Sequence, residues 1–531
     1  MKHARKIIGS IIGLGIVLRL AQYLANRSLR LDEVFLTLNI LNRSYGGLLQ
    51  PLDDNQGAPV GFLFVEKLLT HLGGESEYVL RLFPLVGGIL ALVLFYKMAG
   101  HFVAPSATLL AVGLFALSDR LIFYASDVKQ YSTDVTIALG IYAFAGDLQA
   151  SPDTRSKIAL LAGGGALAVW FSHAAVFMLA GVGGCLLWFR IRTKDWRATA
   201  LLLGGISVWA ASFAGCYVLN LAQSGQNQEL MRFWEGYFMP LPPTSFADLL
   251  WFPRMAFELI AFILGFSSSK LVGLNAPELF RLSFAELAGL SFSSLAGLGL
   301  IILATTATAI ALLAGCLSLF CKSKARWGLL VAPLGLTLLA SGLHKYPFGE
   351  RLILFLLPGL LLLIAAGLQT IKDQTAGYSI VIGYLFIGLV FCYPVISAAY
   401  AVIQPRLEDE ARAVIAYVSQ HRQASDVIYV DPFVEKALQY YGKRYGWQPT
   451  DYRALPNPLL GGAGVGHAQR TWFLFAHVKH RRQEIDRFRE ALDRVGTRRD
   501  AFTIYQPGKK PDGSEAYLYD LSVQGTGKAE K

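Results

Sequence analysis

Residues 7–25, IIGSIIGLGIVLRLAQYLA, run almost directly into Ser28-Leu29-Arg30-Leu31-Asp32-Glu33-Val34-Phe35. The first run is long enough to cross a ~30 Å hydrocarbon layer as a helix. The second sets two adjacent carboxylates beside that layer, where an unpaired charge is costly and calls for a role. Met1-Lys2-His3-Ala4-Arg5-Lys6 has the charge of a secretory leader. Arg19 interrupts the apolar stretch, however, and no small-x-small cleavage site follows, so an uncleaved first span is expected.

The pattern of the first run recurs along the chain. Of 531 residues, 54% are hydrophobic and 16% charged. Further spans are expected at 81–100, 106–124, 133–149, 158–173, 174–190, 198–221, 290–320, 327–343, 352–371 and 379–402, about eleven in all. Segments 59–72 and 248–266 are apolar on one side and carry Glu66, Lys67, Arg254 and Glu258, which predicts helices lying at the interface. The fold class is therefore a polytopic α-helical membrane protein, with a membrane domain over 1–402.

Charge orients it. Lys2, Arg5, Lys6, Lys97, Arg155, Lys157, Arg190, Arg192, Lys194, Arg197, Lys322, Lys324, Arg326 and Lys372 fall on one face, which by the positive-inside pattern is cytoplasmic and holds the N-terminus. The first outer loop (26–80), a short loop at 125–132, a long one at 222–289 and the turn 344–351 share the opposite face, and every chemically interesting polar cluster lies there. The formal charge of +11 resides largely in loops and the C-terminal tail. Orientation and lipid headgroups account for the loop share more simply than nucleic acid does. Cys185, Cys216, Cys316, Cys321 and Cys392 sit in or beside apolar runs, as small hydrophobes, and nothing resembles a zinc ligand set.

From 403 the composition turns soluble. Helices are expected at 408–421, 433–445 and 481–495, and strands at 426–431, 471–476, 502–505 and 516–521. That alternation predicts a small extracytoplasmic α/β domain over 403–531 with a partly parallel sheet. The glycines at 461–466 do not lead from strand to helix, so no nucleotide site is assigned, and the last ten or so residues are expected to be disordered.

Five clusters could carry chemistry. Asp32-Glu33 can cap a helix, or a carboxylate there can orient and deprotonate an acceptor. Gln56 lies in the loop Gln50–Pro59 before the interfacial helix. In Tyr124–Asp134, a continuous helix would align Tyr124, Asp127, Tyr131 and Asp134. Lys129 in that segment either snorkels or meets an external anion. His344, Lys345 and Arg351 offer cations suited to a phosphate, or simply anchor headgroups. Trp234, in Phe233–Pro243, is either a belt aromatic or part of a lipid or sugar groove.

Together these residues resemble the GT-C superfamily of polyprenyl-phosphate-sugar-dependent glycosyltransferases, among them bacterial relatives of protein O-mannosyltransferases, lipid A aminoarabinose transferases and rhizobial galacturonosyltransferases. The resemblance spans roughly residues 5–400. It rests on Asp32-Glu33, Gln56-Gly57-Ala58-Pro59, Glu75-Ser76-Glu77-Tyr78-Val79-Leu80-Arg81-Leu82, Lys129-Gln130-Tyr131-Ser132, and Gly349-Glu350-Arg351-Leu352 through Leu356-Leu357-Pro358. It implies a multi-pass protein of a bacterial inner membrane and a polyprenyl-phosphate-linked sugar donor attacked on the outer face. Asp32 would then be the catalytic acid, with Glu33 beside it. The aminoarabinose transferases carry a phosphate-contacting lysine before a Pro-Pro pair, where this chain has Gly57-Ala58-Pro59. Donor phosphate therefore falls to Lys129, His344, Lys345 or Arg351, with Gln56, Asp127, Tyr131 and Trp234 near the substrate. No cofactor is expected and no metal is obligatory, although the acids could bind one. A pyrophosphate-linked donor, a lipid-linked-sugar transporter and an inactive scaffold are the competing readings.

Overall fold

In the computed structural model the described residues are 2–150, 154–221, 228–265, 292–407, 409–455, 470–503 and 513–522. The glycines at 461–466, the end of the 502–505 strand, the final residues and parts of the 222–289 loop lie outside them.

A helix stands at each expected span. In chain order they are α1 (Lys2–Leu24), α2 (Leu31–Asn42), α3 (Val60–Gly73), α4 (Glu77–Leu80), α5 (Leu82–Phe102), α6 (Pro105–Leu117), α7 (Asp119–Tyr124), α8 (Tyr131–Ala150), α9 (Thr154–Phe171), α10 (Ala175–Arg192) and α11 (Trp196–Cys216). The series continues with α12 (Gln228–Phe233), α13 (Phe246–Leu264), α14 (Phe292–Lys322), α15 (Lys324–Gly342), α16 (Leu357–Thr375) and α17 (Ile380–Ile403). Among the described residues, 8 helices are long and apolar enough to cross a membrane. The span expected over 106–124 breaks at Ser118, whose extended backbone (ψ 113°) separates α6 from α7.

The bundle is centred on the run Glu350–Thr375, which contains α16 and whose apolar stretch is 83% buried. Helix α16 meets α14 at very close range: a methyl at Gly315 would overlap the Leu363 carbonyl, and one at Gly367 the Ala311 carbonyl. Small residues at such a crossing let backbones approach where lipid supplies no hydrophobic drive between helices.

After 403 the chain forms α18 (Ala411–His421), β1 (Val427–Val430), α19 (Pro432–Tyr441), β2 (Arg453–Ala454), β3 (Thr471–Phe475), α20 (Val478–Val495), β4 (Thr497–Thr503) and β5 (Glu515–Asp520); the strand expected at 502–505 starts earlier, at Thr497, and β2 is an addition to the expected strands. The sheet order is β2-β1-β3-β5-β4. β1 runs parallel to β2 and β3, while β3, β5 and β4 pair antiparallel. β2 is two residues long and fully exposed, too short to leave a periodic signal. One face of the sheet is covered by α20 through Phe475, Ile485 and Phe488. The other shares a core with the first loop: Val34, Leu36, Phe62 and Val128 pack in one cluster with Val414, Ile428, Leu438 and Trp472.

This shared core sits over a polar knot. The carboxylate of Glu33 is fully buried and accepts from Arg27 Nη1, from Arg81 Nε at 3.2 Å and Nη2 at 3.1 Å, and from the backbone N–H groups of Arg30 and Val128, both at 2.9 Å. Burial opposes ionisation, but Arg27, Arg81 and Arg30 hold this carboxyl at about 2. Arg81 also donates to the carbonyls of Arg27 (2.7 Å) and Ser28 (3.1 Å). Removing one member of a buried, paired network leaves the others desolvated and uncompensated. Glu33→Gln is therefore expected to cost about 3–5 kcal/mol of stability, read as a lowered unfolding temperature in detergent. Lys97→Ala, which breaks the largely exposed pair with Asp147, should cost less than about 1 kcal/mol.

Candidate active site

Asp32 and Glu33 are neighbours in sequence but point differently, because successive helical residues are rotated by roughly 100°. Glu33 turns into the knot. Asp32 keeps 21% of its side chain accessible, with Arg351 Nη1 at 3.1 Å from Oδ2 and Arg30 Nη2 at 3.6 Å from Oδ1. Neither Asp32 Oδ2 nor Arg351 Nε has an aligned hydrogen bond. This pair is held by charge rather than by directed bonding, so a ligand can replace either partner.

Arg351 lies in the 3-10 turn Glu350–Leu356 that leads into α16. Its guanidinium stands 5.8 Å from the ring centres of both Tyr131 and Trp234. The segment carrying Trp234 is fastened to the preceding turn: Phe348 N donates to Tyr237 O at 3.0 Å and Tyr237 Oη to Glu350 at 3.1 Å. Any side chain at Gly349 would run into the Tyr237 ring.

Lys129 comes from the turn between α7 and α8. Its Nζ donates to Gln56 Oε1 at 2.6 Å, and among the described residues it has no carboxylate in ion-pair contact. Burial pulls its pKa down to about 8 against the attraction of Asp32. Asp32 shows the opposite balance. Burial would raise its carboxyl, but Arg30, Arg351, Lys129 and Arg27 hold it far below the usual carboxylate range.

The structure therefore gathers Asp32, Tyr131 and Trp234 around Arg351, and pairs Lys129 with Gln56. It places the remaining candidates elsewhere. Residues 125–130 form a turn, not the continuous helix that would align Asp127 with Tyr131. Tyr124 and Tyr131 still meet, with ring centres 5.3 Å apart, but Asp127 is drawn away and paired to Arg27 at 2.9 Å and Arg30 at 2.8 Å. His344 is exposed and stacks on Phe238 at 4.9 Å, and Lys345 is exposed beside it. Neither is ion-paired to Asp32 among the described residues.

Several members have no obvious signature in the sequence. Arg27, Arg30 and Arg406 all stack on Phe123, with centroid distances of 4.7, 5.2 and 4.5 Å. Arg120 is buried over Phe262 at 4.9 Å, and Arg406 reaches Asp119 at 3.5 Å. The spacing Arg27-x-x-Arg30-x-x-Glu33, one helical step apart each time, was the available clue. Phe123 lies within an apolar run and offers none.

Arg30 and Arg351 stand within ion-pair distance of Asp32, and the hydrogen-bond partner of Lys129 is an amide rather than a carboxylate. Such a place suits an anion. Asp32, Glu33 and Asp127 are each engaged by guanidinium groups. Between α3 and the end of α9, an open apolar recess of about 460 Å³ is lined by Tyr45, Val60, Phe64, Leu68, Trp170 and Phe171.

No protein-family model matches this chain, and no curated protein matches it in sequence. Among solved structures it resembles the oligosaccharyltransferase of Archaeoglobus fulgidus in complex with Zn and sulfate, with TM-score 0.50 and 10% identity over 96% of this chain and 73% of that one. It also matches ArnT from Cupriavidus metallidurans bound to undecaprenyl phosphate, with TM-score 0.40 and 16% identity over 96% of this chain and 98% of that one. At this identity the likeness to the oligosaccharyltransferase shows the fold alone, that of a multi-pass helical membrane protein.

Proposed function

We propose that this GT-C-fold protein is a glycosyltransferase that moves a sugar from a polyprenyl-phosphate donor to a cell-envelope acceptor on the extracytoplasmic face, with the N-terminus in the cytoplasm. The observation that carries the reading is the partly open carboxylate of Asp32 within ion-pair distance of Arg351 (3.1 Å) and Arg30 (3.6 Å). A sugar phosphodiester enters with one negative charge and leaves as a phosphate monoester with up to two. Fixed cations there bind the departing phosphate more strongly than the donor, which is what lowers a barrier.

The chemistry is a single inverting displacement. The donor phosphate takes over Lys129 from Gln56 and Arg351 from Asp32, so Asp32 gains basicity as the donor arrives. Its carboxylate then holds the acceptor hydroxyl or amine and helps activate it. The nucleophile's lone pair forms the new bond to the anomeric carbon, the carbon–oxygen bond to phosphate breaks, and that electron pair stays on the phosphate oxygen. Glu33 and Asp127 do not reach the substrate; they hold Arg27 and Arg30 in place.

A pyrophosphate-linked donor is favoured by one feature, the continuation of the cation row through Phe123 to Arg406. Release of polyprenyl pyrophosphate rather than monophosphate would select it.

The test uses native membranes, which hold the acceptor, with a panel of radiolabelled undecaprenyl-phosphate hexoses and pentoses, and follows release of undecaprenyl phosphate. Asp32→Asn should lower the rate by about 10²–10⁴-fold, the usual worth of a positioned acid–base group; near wild-type turnover would remove the proposal. Undecaprenyl phosphate affinity should fall by about tenfold or more as pH rises from 7.5 to 9.5, because Lys129 loses its proton through about 8 and with it a charge-assisted bond. Lys129→Met should bind more weakly at pH 7.5 and lose that pH dependence.

A further inference from the structure

The two faces of the five-stranded sheet meet different surroundings. One packs Trp472, Leu474 and Leu518 into a common core with Val34 and Phe62 of the first loop, so it is turned toward the membrane domain. The other carries α20, whose Ile485 and Phe488 cover Phe475 and Tyr517, and β4 closes the sheet as an edge strand. Between α20 and β4 lies a pocket of about 570 Å³, bordered by Arg482, Arg489, Arg498 and Arg499 together with Ala501 and Thr503.

Backbone geometry explains why four guanidinium groups meet here. Arg482 and Arg489 stand seven residues apart on α20, two helical turns, and so share a face. On β4, strict alternation would send Arg498 and Arg499 to opposite faces. The ladder slips instead: Arg498 pairs with Tyr519 and Asp500 with Leu518, which leaves Arg499 as an extra residue. Such a bulge re-aims a side chain, and both arginines border the pocket. Beyond the bulge the alternation resumes. Ala501 and Thr503 pair with Tyr517 and Glu515 on the α20 side. Phe502 takes the other side and stacks on Tyr417 at 4.2 Å. Asp500, the one acid bordering the pocket among the described residues, has its carboxylate engaged there, by Tyr417 Oη at 2.7 Å and Ala501 N at 2.8 Å.

The arginines are held in place by acids that do not border the pocket. Buried Glu515 pairs with Arg482, Asp486 stands 3.2 Å from both Arg482 and Arg489, and Asp520 pairs with Arg499 at 2.9 Å. A guanidinium has five N–H donors in a rigid fork, so a single carboxylate leaves donors over. Arg498 is exposed and has no carboxylate partner among the described residues.

We propose that this pocket binds the phosphate or carboxylate groups of an anionic glycan chain. Of the glycosyl-transfer reading it needs only that the C-terminal unit lies outside the cell; the chemistry at Asp32 plays no part. Arginine forks match such oxyanions two bonds at a time. A glycan suits the position better than a bilayer headgroup, because the pocket opens on the sheet face turned away from the first loop and the membrane domain. A neutral sugar would leave the guanidinium groups unanswered.

The experiment uses full-length protein in phosphatidylcholine nanodiscs and reads binding of fluorescein-labelled alginate and phosphomannan, with neutral dextran as the control. At least one anionic polymer should bind saturably, dextran should not, and the binding should weaken as salt is raised. Arg498→Gln should lower affinity by about tenfold, the worth of a charge-assisted hydrogen bond, at an unchanged unfolding temperature. Ala501→Trp keeps every charge and fills the pocket, and should weaken binding by a similar factor. Arg487→Gln removes the same charge from an exposed position on α20 outside the pocket, and should stay within about twofold of wild type. Failure of both polymers to bind overturns the proposal, as does an Arg498→Gln loss no greater than that of Arg487→Gln, or unaltered binding in Ala501→Trp. Equal or stronger Arg498-dependent capture of phosphatidylglycerol vesicles also overturns it, by making the pocket a headgroup site. None of these readouts uses undecaprenyl phosphate release, so sugar transfer at Asp32 can fail its own test while the pocket stands, and the reverse.

Discussion

Glu33 is a charge with no water of its own, and the architecture around it follows from how it is neutralised. Arg27 leaves α1, Arg81 opens α5, Arg30 caps α2 and Val128 belongs to the turn before α8, yet all four point donors at one carboxylate. Desolvating a single carboxylate costs several kcal/mol, recovered only when geometry and hydrogen bonding are complete. The solution is unique enough to fix four chain segments relative to one another. Asp127 repeats the device from the other side, binding Arg27 and Arg30.

This brace is what leaves Asp32 available. With Glu33 and Asp127 absorbing the guanidinium groups of Arg27 and Arg81, Asp32 is left to looser company, and Lys129 to a neutral amide. Two kinds of carboxylate thus arise within one helical turn: one buried and saturated, the other exchangeable. The distinction between scaffold and chemistry lies in that contrast, not in the residue type.

The C-terminal unit is bound by the same logic. Its apolar face merges with the core of the first loop, and its ion pairs ring that contact at Glu77 and Asp54. Burial supplies the adhesion, and the charged rim fixes the orientation of the unit on the first loop.

The sequence alone determined the class of molecule, because bilayer thickness dictates the length of an apolar run and a helix must satisfy its own backbone there. It likewise determined the α/β alternation after 403 and the acid at 32, since both are local patterns. It did not separate Asp32 from Glu33, nor show that His344 and Lys345 stand apart while Arg81 closes on Glu33 and Arg406 on Asp119. Those assignments depend on contacts between residues 48 to 287 positions apart, as in Arg81–Glu33 and Arg406–Asp119. A basic residue beside an apolar run reads the same in sequence whether it anchors a headgroup or closes a buried pair. Only the tertiary structure decides, because burial, not residue type, sets what a charge is worth.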